Sequence, residues 1–269
     1  MDGPAPPPPP LPGDGEDPVE AIVCVKRVPS TTTRVQVGAD GRSLDPSGVE
    51  YVLNPYDEFA VEEALRQRDA AGGGRVTAIS FGDEAAQKEL RTVLAMGADA
   101  ALLLANSEAP NADGATTARI LAEAIRGRSF DLLLFGKQAV DRDQHGVGPA
   151  VATLLGVPCV SEVVAIEVGD GKVVCQREVE GGRETVEAPL PCAITCQKGL
   201  NEPRYASLKG IMAAKKKPLE VQPVADFTPA VQVLEMTLPP PRPAGRILGE
   251  GPDAVPALIE ALKNEAKVL

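Results

Sequence analysis

The sequence predicts an α/β fold: a doubly wound, mostly parallel sheet with an added β-meander and a C-terminal arm. Three observations lead there. Between residues 21 and 156, short runs of Val, Ile and Leu alternate with stretches of helix length. Most of those runs are apolar almost throughout, as strands covered on both faces are. Past residue 158 the chain changes to alternating runs separated by the turn signals GDGK and EGGR, which read as hairpins. The right-handed crossover rule then leaves a doubly wound sheet as the default topology.

The elements follow in order. AIVCVKRV (21–28) is a strand, followed by a Gly/Asp-rich turn around 38–48. VLNPYDEFAVEEALRQRDA opens a helix: Asn54 can cap it, Pro55 suits the first helical position, and Asp57 and Glu58 suit the positive end of the dipole. Phe59, Val61, Ala64 and Leu65 form its apolar stripe. Strands at 75–82, 100–105 and 131–136 are each followed by a helix: EAAQKELRTVLAMGA, TTARILAEAIRG and VGPAVATLLG. A meander and a buried strand at 190–197 follow. The domain plan is a disordered, proline-rich tail at 1–19, a nucleotide-binding α/β domain at 20–197, an irregular basic segment at 198–217 and an arm at 218–269. The arm is proline-punctuated and ends in a helix over 252–267.

Composition narrows the function. The chain has 269 residues, 43% hydrophobic but only 3% aromatic and without Trp, so Ala, Val, Leu and Ile must build the core. A formal net charge of −11 argues against nucleic acid as a partner. The charge is uneven, with Lys209, Lys215, Lys216 and Lys217 forming a positive island. Cys24, Cys159, Cys175, Cys192 and Cys196 are odd in number and include no CxxC pair, and His145 is the sole histidine. Free thiols in a reducing, cytoplasmic setting are the expectation, with Cys192 and Cys196 on one face of a buried strand and no metal site. No targeting segment is visible, and no apolar run reaches the about 18 residues that membrane insertion needs.

In such a sheet, ligands bind beyond the carboxyl ends of the strands where the strand order reverses. Three segments lie there: Cys24 to Arg27, Ser80-Phe81-Gly82, and GKQAVDRDQHGVGP (136–149). Gly146 and Gly148 let the backbone approach a ligand, and amides at the following helix start can bind an anion. The segment has neither a Walker motif nor a GxGxxG, and a plain strand-to-helix loop explains it as well as a phosphate cradle does. Asp141 and Asp143 read equally well as solvated carboxylates, and His145 has no evident catalytic partner.

Five segments together carry a resemblance: VKRV, LNPYDEFAVEEAL, GKQAVDRD, REVEGGRETVEAPLPCAIT and GLNEPRYASLKGIMAAKKK. In that order they resemble the β-subunit family of electron transfer flavoproteins over about residues 20–220. The resemblance implies a Rossmann-like, adenine nucleotide α-hydrolase-like fold. It also implies a heterodimer with an α subunit holding a redox FAD, which relays electrons from acyl-CoA dehydrogenases of fatty acid β-oxidation and related enzymes to a membrane quinone reductase (electron transfer flavoprotein–quinone oxidoreductase) or similar acceptor. The β subunit is then an electron-carrier subunit, not an enzyme by itself.

Carried over by position, the resemblance puts AMP against Cys24, Asn54, Pro55, Tyr56, Asp57 and Phe81. Its phosphate is wrapped by Gly136, Lys137, Gln138, Ala139, Val140, Asp141, Arg142, Asp143, Gln144, His145, Gly146 and Val147. The stretch NEPRYASL matches the family's partner-recognition loop, with Leu208 as anchor beside Arg204 and Tyr205, and Glu178 matches a residue at the α-subunit interface. Two departures stand out. PSTTT follows Val28 where an aromatic is expected, and DRDQHGVGP shares Val-Gly-Pro with electron-bifurcating, NADH-dependent relatives that hold a second FAD in place of AMP. Both ligands stay open, with AMP the expectation. A stand-alone adenine-nucleotide-binding protein of the universal-stress type is the remaining alternative; it leaves the 198–217 segment unexplained.

Overall fold

The structure is a computed structural model and describes residues 18–242 and 244–269. Of the predicted tail, residues 1–17 lie outside the described residues. The first strand, β1 (Val19–Cys24), leads into a small antiparallel hairpin of β2 (Arg27–Pro29) and β3 (Tyr51–Leu53). Helix α1 (Pro55–Ala70), β4 (Gly74–Gly82), α2 (Gln87–Met96) and β5 (Ala100–Ala105) follow. Next come α3 (Gly114–Ile125), β6 (Leu132–Gly136) and α4 (Val147–Leu155). The meander is β7 (Cys159–Gly169), β8 (Lys172–Val179) and β9 (Gly182–Pro189), after which β10 (Cys192–Cys196) returns to the sheet. Two further elements are α5 (Leu208–Ala214) and β11 (Leu219–Pro223), and α6 (Val255–Glu260) lies near the end.

The sheet order is β11-β5-β4-β1-β6-β10-β7-β8-β9. All pairings from β11 to β7 are parallel, and the two meander pairings are antiparallel. β1 lies between β4 and β6, so the chain winds outward in one direction through β4 and β5 and in the other from β6. The strand order therefore reverses between the carboxyl ends of β1 and β6, which opens the crevice where such sheets bind ligands.

Period-2 alternation sorts the side chains into two cores. Val23, Leu65, Leu90, Leu94, Leu103, Leu132 and Ile194 fill the face under α1 and α2. Ile22, Ile79, Leu102, Leu121, Leu133 and Val151 fill the face under α3 and α4. Covering both faces is why these strands read as unbroken apolar runs. All five cysteines are free, and Cys192, Ile194 and Cys196 share one face of β10 as the spacing predicted.

Two segments differ from expectation. The basic stretch is not irregular throughout: Ser207 caps α5, its hydroxyl accepting from the Gly210 amide at 3.0 Å. The sheet also continues past residue 217, because β11 adds a parallel edge to β5. Edge position explains why it escaped notice: four of its five residues are exposed, so it carries no apolar pattern. The predicted C-terminal helix is present as a 3₁₀ turn at Pro252–Ala254, α6, and a π turn at Ala261–Glu265.

Beyond β11 the chain is pinned by Asp113. This residue caps α3, accepting from the amides of Ala115 and Thr116 at 2.9 and 3.0 Å, and it also accepts from the amide of Ala230 at 2.6 Å. Burial works against its charge, but the bonds from Thr116, Ala230 and Val231 outweigh it and hold the carboxyl well below the usual range. A lowered folded value means the stabilisation is complete above the unfolded pKa, about 4, and is lost as pH falls through the folded one. Asp113→Ala is expected to cost about 1–2 kcal/mol in urea unfolding and to speed hydrogen exchange at the Ala230 amide. Acid exposes that amide in the unsubstituted protein.

Candidate nucleotide-binding site

At the point of strand-order reversal, three segments meet on one carboxylate. Asp57, buried in the first turn of α1, accepts from the Lys26 amide at 2.7 Å just past β1, from Asn54 Nδ2 at 2.8 Å, and from the Gly136 amide at 3.2 Å at the end of β6. Gly136 is required there, since a Cβ would collide with the Asp57 carboxylate and stand 2.7 Å from the Tyr56 carbonyl carbon. Burial pushes the Asp57 carboxyl up to about 7, while Asn54, the Lys26 and Gly136 amides and the Lys26 charge pull the other way.

Asn54 occupies the cap position, yet its side chain makes no capping bond. It reaches across the crevice instead: Nδ2 donates to the Gln138 carbonyl at 2.8 Å, and Oδ1 accepts from the Val140 amide at 3.2 Å. The loop after β6 is therefore held against the start of α1. Further along, Arg142 donates to the carbonyls of Ala112 and Pro110 at 2.7 and 2.6 Å, Gln138 donates to Asp143 at 2.6 Å, and Lys26 pairs with Asp141. Residues 141–146 are exposed.

The anion-binding capacity sits at the end of this loop. Gly146 precedes α4 and no side chain caps the helix, so its first-turn amides lack partners in the chain. A Cβ at Gly146 would meet nothing within 4 Å. Gly148 packs tightly instead, since a Cβ there would stand 2.8 Å from Thr195 Cγ2. Of the nearby basic side chains, Lys26 and Arg142 are engaged within the chain, while Lys137 Nζ and His145 Nδ1 both face Glu162, at 4.0 and 3.4 Å. A free helix start with Lys137 and the His145 imidazole beside it is a donor set that fits one phosphate.

The remaining predicted residues separate by position. Tyr56 lies beneath Lys137, whose Nζ is 5.4 Å from the ring centroid. Pro55 occupies the first helical position. Cys24 lies at the end of β1, but its side chain belongs to the core under α3 and α4, and burial with the Asp57 charge pushes its thiol far up. Only its backbone faces the crevice. Phe81 stands at the same end of β4 and packs edge-on against Phe227 of the arm, centroids 5.7 Å apart. Ala139 and Gln144 lie in the loop, and Val147 opens α4.

A second cluster lies elsewhere. Tyr205 is 98%, Leu208 83% and Met212 72% exposed, an apolar group among Lys209, Lys215 and Lys216. Arg204, the third predicted docking residue, is held inside the chain by Glu62 and Asp69. Glu178 is exposed on β8 and faces Arg183 on β9 at 3.5 Å.

Comparison with known proteins fits this arrangement. Residues 43–227 match the family model described as the electron transfer flavoprotein domain. An electron transfer flavoprotein subunit beta from Bacillus subtilis is 38% identical over 257 residues, covering 92% of this chain and 99% of the relative. Its counterpart from Mus musculus is 37% identical over 233 residues, 84% of this chain and 91% of the relative. The chain belongs to the electron transfer flavoprotein β-subunit family. The match displaces the universal-stress alternative.

Two side chains of the site have roles that the sequence reading did not assign. Lys26 lies in the Cys24–Arg27 segment placed at the crevice, but its pairing with Asp141 had no signal. Glu162 sits in an alternating run that reads as plain strand, yet its backbone is left-handed, at φ 60°, where β7 bulges away from β10. The Glu162 amide donates to Thr195 Oγ1 at 2.8 Å, which fixes the bulge. Among the described residues, no helix is long and apolar enough to cross a membrane.

The Asp57 carboxyl titrates higher in the folded chain than in the unfolded one, where the value is about 4. Its contribution to stability is therefore greatest below about pH 4 and declines as pH rises towards 7. Asp57→Asn is expected to flatten that segment of the stability curve in urea unfolding. It also sets an amide against backbone donors, lowering stability at pH 5 by about 1–3 kcal/mol.

Proposed function

We propose that this chain is the β subunit of a heterodimeric electron transfer flavoprotein. The heterodimer relays single electrons from acyl-CoA dehydrogenases and related enzymes to an electron transfer flavoprotein–quinone oxidoreductase or similar acceptor. Family membership supports the class of activity. The observation that carries the docking role is Leu208, exposed at the start of a helix whose flanks are fastened to the body of the chain. FAD bound in the α subunit supplies the redox chemistry. This chain is then not an enzyme by itself. Its own residues hold the complex, seat a nucleotide and bring dehydrogenases within reach. Free thiols favour a reducing, cytoplasmic setting.

AMP is the proposed ligand of the crevice. Backbone at Cys24, the Asn54–Asp57 turn and Phe81 would line the adenosine end, and the 136–147 loop with the α4 amides would take the phosphate. A second reading, FAD in the same crevice of a bifurcating complex, is favoured by one observation: α4 opens with Val147-Gly148-Pro149. Docking would use Leu208 and Tyr205 as small apolar anchors with the lysines steering an acidic rim, as suits a partner that must release quickly. The arm carries Val231, Leu234, Leu238 and Ile247 exposed, an apolar series that fits burial against the α subunit, with Glu178 at the same interface.

Two measurements test the reading. Co-expression with an α subunit, followed by chromatography of the released nucleotides, is expected to give one FAD and one AMP per heterodimer. Two FADs would turn the assignment to the bifurcating type, and a homodimer without either would overturn it. Leu208→Ala is expected to slow electron acceptance from an acyl-CoA dehydrogenase by about tenfold, equivalent to about 1.4 kcal/mol of docking energy, at unchanged flavin content. Loss of FAD in that variant would make the segment structural.

A further inference from the structure

The segment that displays Tyr205, Leu208 and Met212 is tied down on both sides by side chains whose hydrogen bonds run to the body of the chain. Before α5, Arg204 Nε and Nη2 donate to the Glu62 carboxylate at 2.8 and 3.0 Å, and its amide donates to the same group at 3.1 Å. Asn201 Nδ2 donates to Glu63 at 2.9 Å and to the Phe59 carbonyl at 3.0 Å. Glu62 and Glu63 are 5% and 2% exposed, so α1 buries two adjacent carboxylates, each holding this one segment.

After α5, Lys217 Nζ donates to the Leu94 and Ala98 carbonyls at the C-terminal end of α2, at 3.0 and 2.6 Å. Arg91 on α2 donates back to the Ala214 and Lys217 carbonyls at 2.7 and 2.9 Å. Between these ties Gly210 rests against the Ala95 carbonyl so closely that a Cβ would collide with it.

A seven-residue helix has little stability in isolation. Here its apolar residues point outward, so burial does not hold it either: Ala214 is its one buried residue. Buried polar ties are what keep it ordered. A buried carboxylate met by a two-pronged guanidinium loses much when the partner is removed, which is more than a solvated linker needs. We infer that Arg204 and Lys217, with Glu62, Glu63 and Arg91, are positioning residues that hold Leu208 and its neighbours in a fixed, pre-ordered docking platform. The inference rests on the docking reading above and adds that partner affinity depends on the rigidity of the platform as well as on its apolar contact.

The test uses the complete heterodimer with its flavin, carrying Arg204→Met, Arg204→Lys or Gly210→Ala. Gly210→Ala lifts α5 from α2 without altering any charge, so it loosens the platform even where Arg204→Met fails to fold. Each complex is assayed as electron acceptor for an acyl-CoA dehydrogenase reduced by its acyl-CoA, and hydrogen exchange is read at residues 208–214. For Arg204→Met and Gly210→Ala the KM is expected to rise about fivefold, the effect of re-ordering one or two side chains on docking. The kcat should change by less than about twofold, since chemistry at the flavin is untouched, and exchange at 208–214 should quicken. Arg204→Lys is expected to recover part of the effect.

Faster exchange with an unchanged KM would overturn the inference, and so would unchanged exchange. Leu208→Ala in the same assay separates the two ideas. If it raises KM while Arg204→Met and Gly210→Ala do not, docking stands and the platform falls; if it too leaves KM unchanged, the docking reading fails and takes the platform with it.

Discussion

The carboxylate of Asp57 joins three places that are remote in sequence: the exit of β1, the first turn of α1 and the exit of β6. β1 and β6 pair directly as far as Cys24 and Phe135, and Asp57 ties the start of α1 to both strand exits just beyond that pairing. Every group proposed to meet a nucleotide is placed relative to it. Asn54 extends the junction by bonding Gln138 and Val140, which carries the loop towards α4. Gly136 admits it, because only a residue without a side chain lets the β6 exit approach the start of α1.

Helix α1 then links the two functional regions. Its first turn belongs to the crevice, and its middle carries Glu62 and Glu63, which hold the segment before α5. Asp57 and the Glu62–Glu63 pair are five to six residues apart, roughly 8 Å at 1.5 Å per residue, so one rigid element fixes the distance between the proposed nucleotide crevice and the proposed docking platform. Its charged residues face inward as well as outward, unlike a simple amphipathic helix. The Arg204 charge beside Glu62 and the hydrogen bond that Asn201 donates to Glu63 make that burial tolerable. The arm contrasts with this: among its described residues its anchorage includes Asp113 and the Phe227–Phe81 contact, and Val231, Leu234, Leu238 and Ile247 stay exposed.

Much of this was legible in the sequence, and the reason is burial. Strands such as Leu132–Gly136, covered on both faces, must be apolar throughout, and the helices between them carry stripes facing one core or the other. Residues at strand exits were legible too, because topology alone puts Cys24–Arg27, Phe81 and Gly136–Val147 at one end of the sheet, whereas Asp57 came to the crevice only through the family resemblance. What was hidden depends on contacts between distant positions. Nothing local marks Arg204 as the partner of Glu62, 142 residues away, so its charge read as part of a docking surface. Glu162 looks like an ordinary strand residue until the bulge turns it towards Lys137 and His145. Strand β11 has a neighbour on one side only and so carries no pattern. The short helix α5 did have a signal, Ser207 placed to cap it, but without an apolar stripe that signal was weak.

The most direct test of the crevice as the nucleotide site is the nucleotide content of the purified heterodimer carrying Gly146→Val. The side chain enters open space beside the uncapped start of α4, so the sheet and the Asp57 junction are untouched. The expected result is loss of the adenine nucleotide belonging to this subunit, with the FAD of the α subunit retained. A full complement of both in that variant would contradict the assignment and move the ligand away from the reversal point of the sheet.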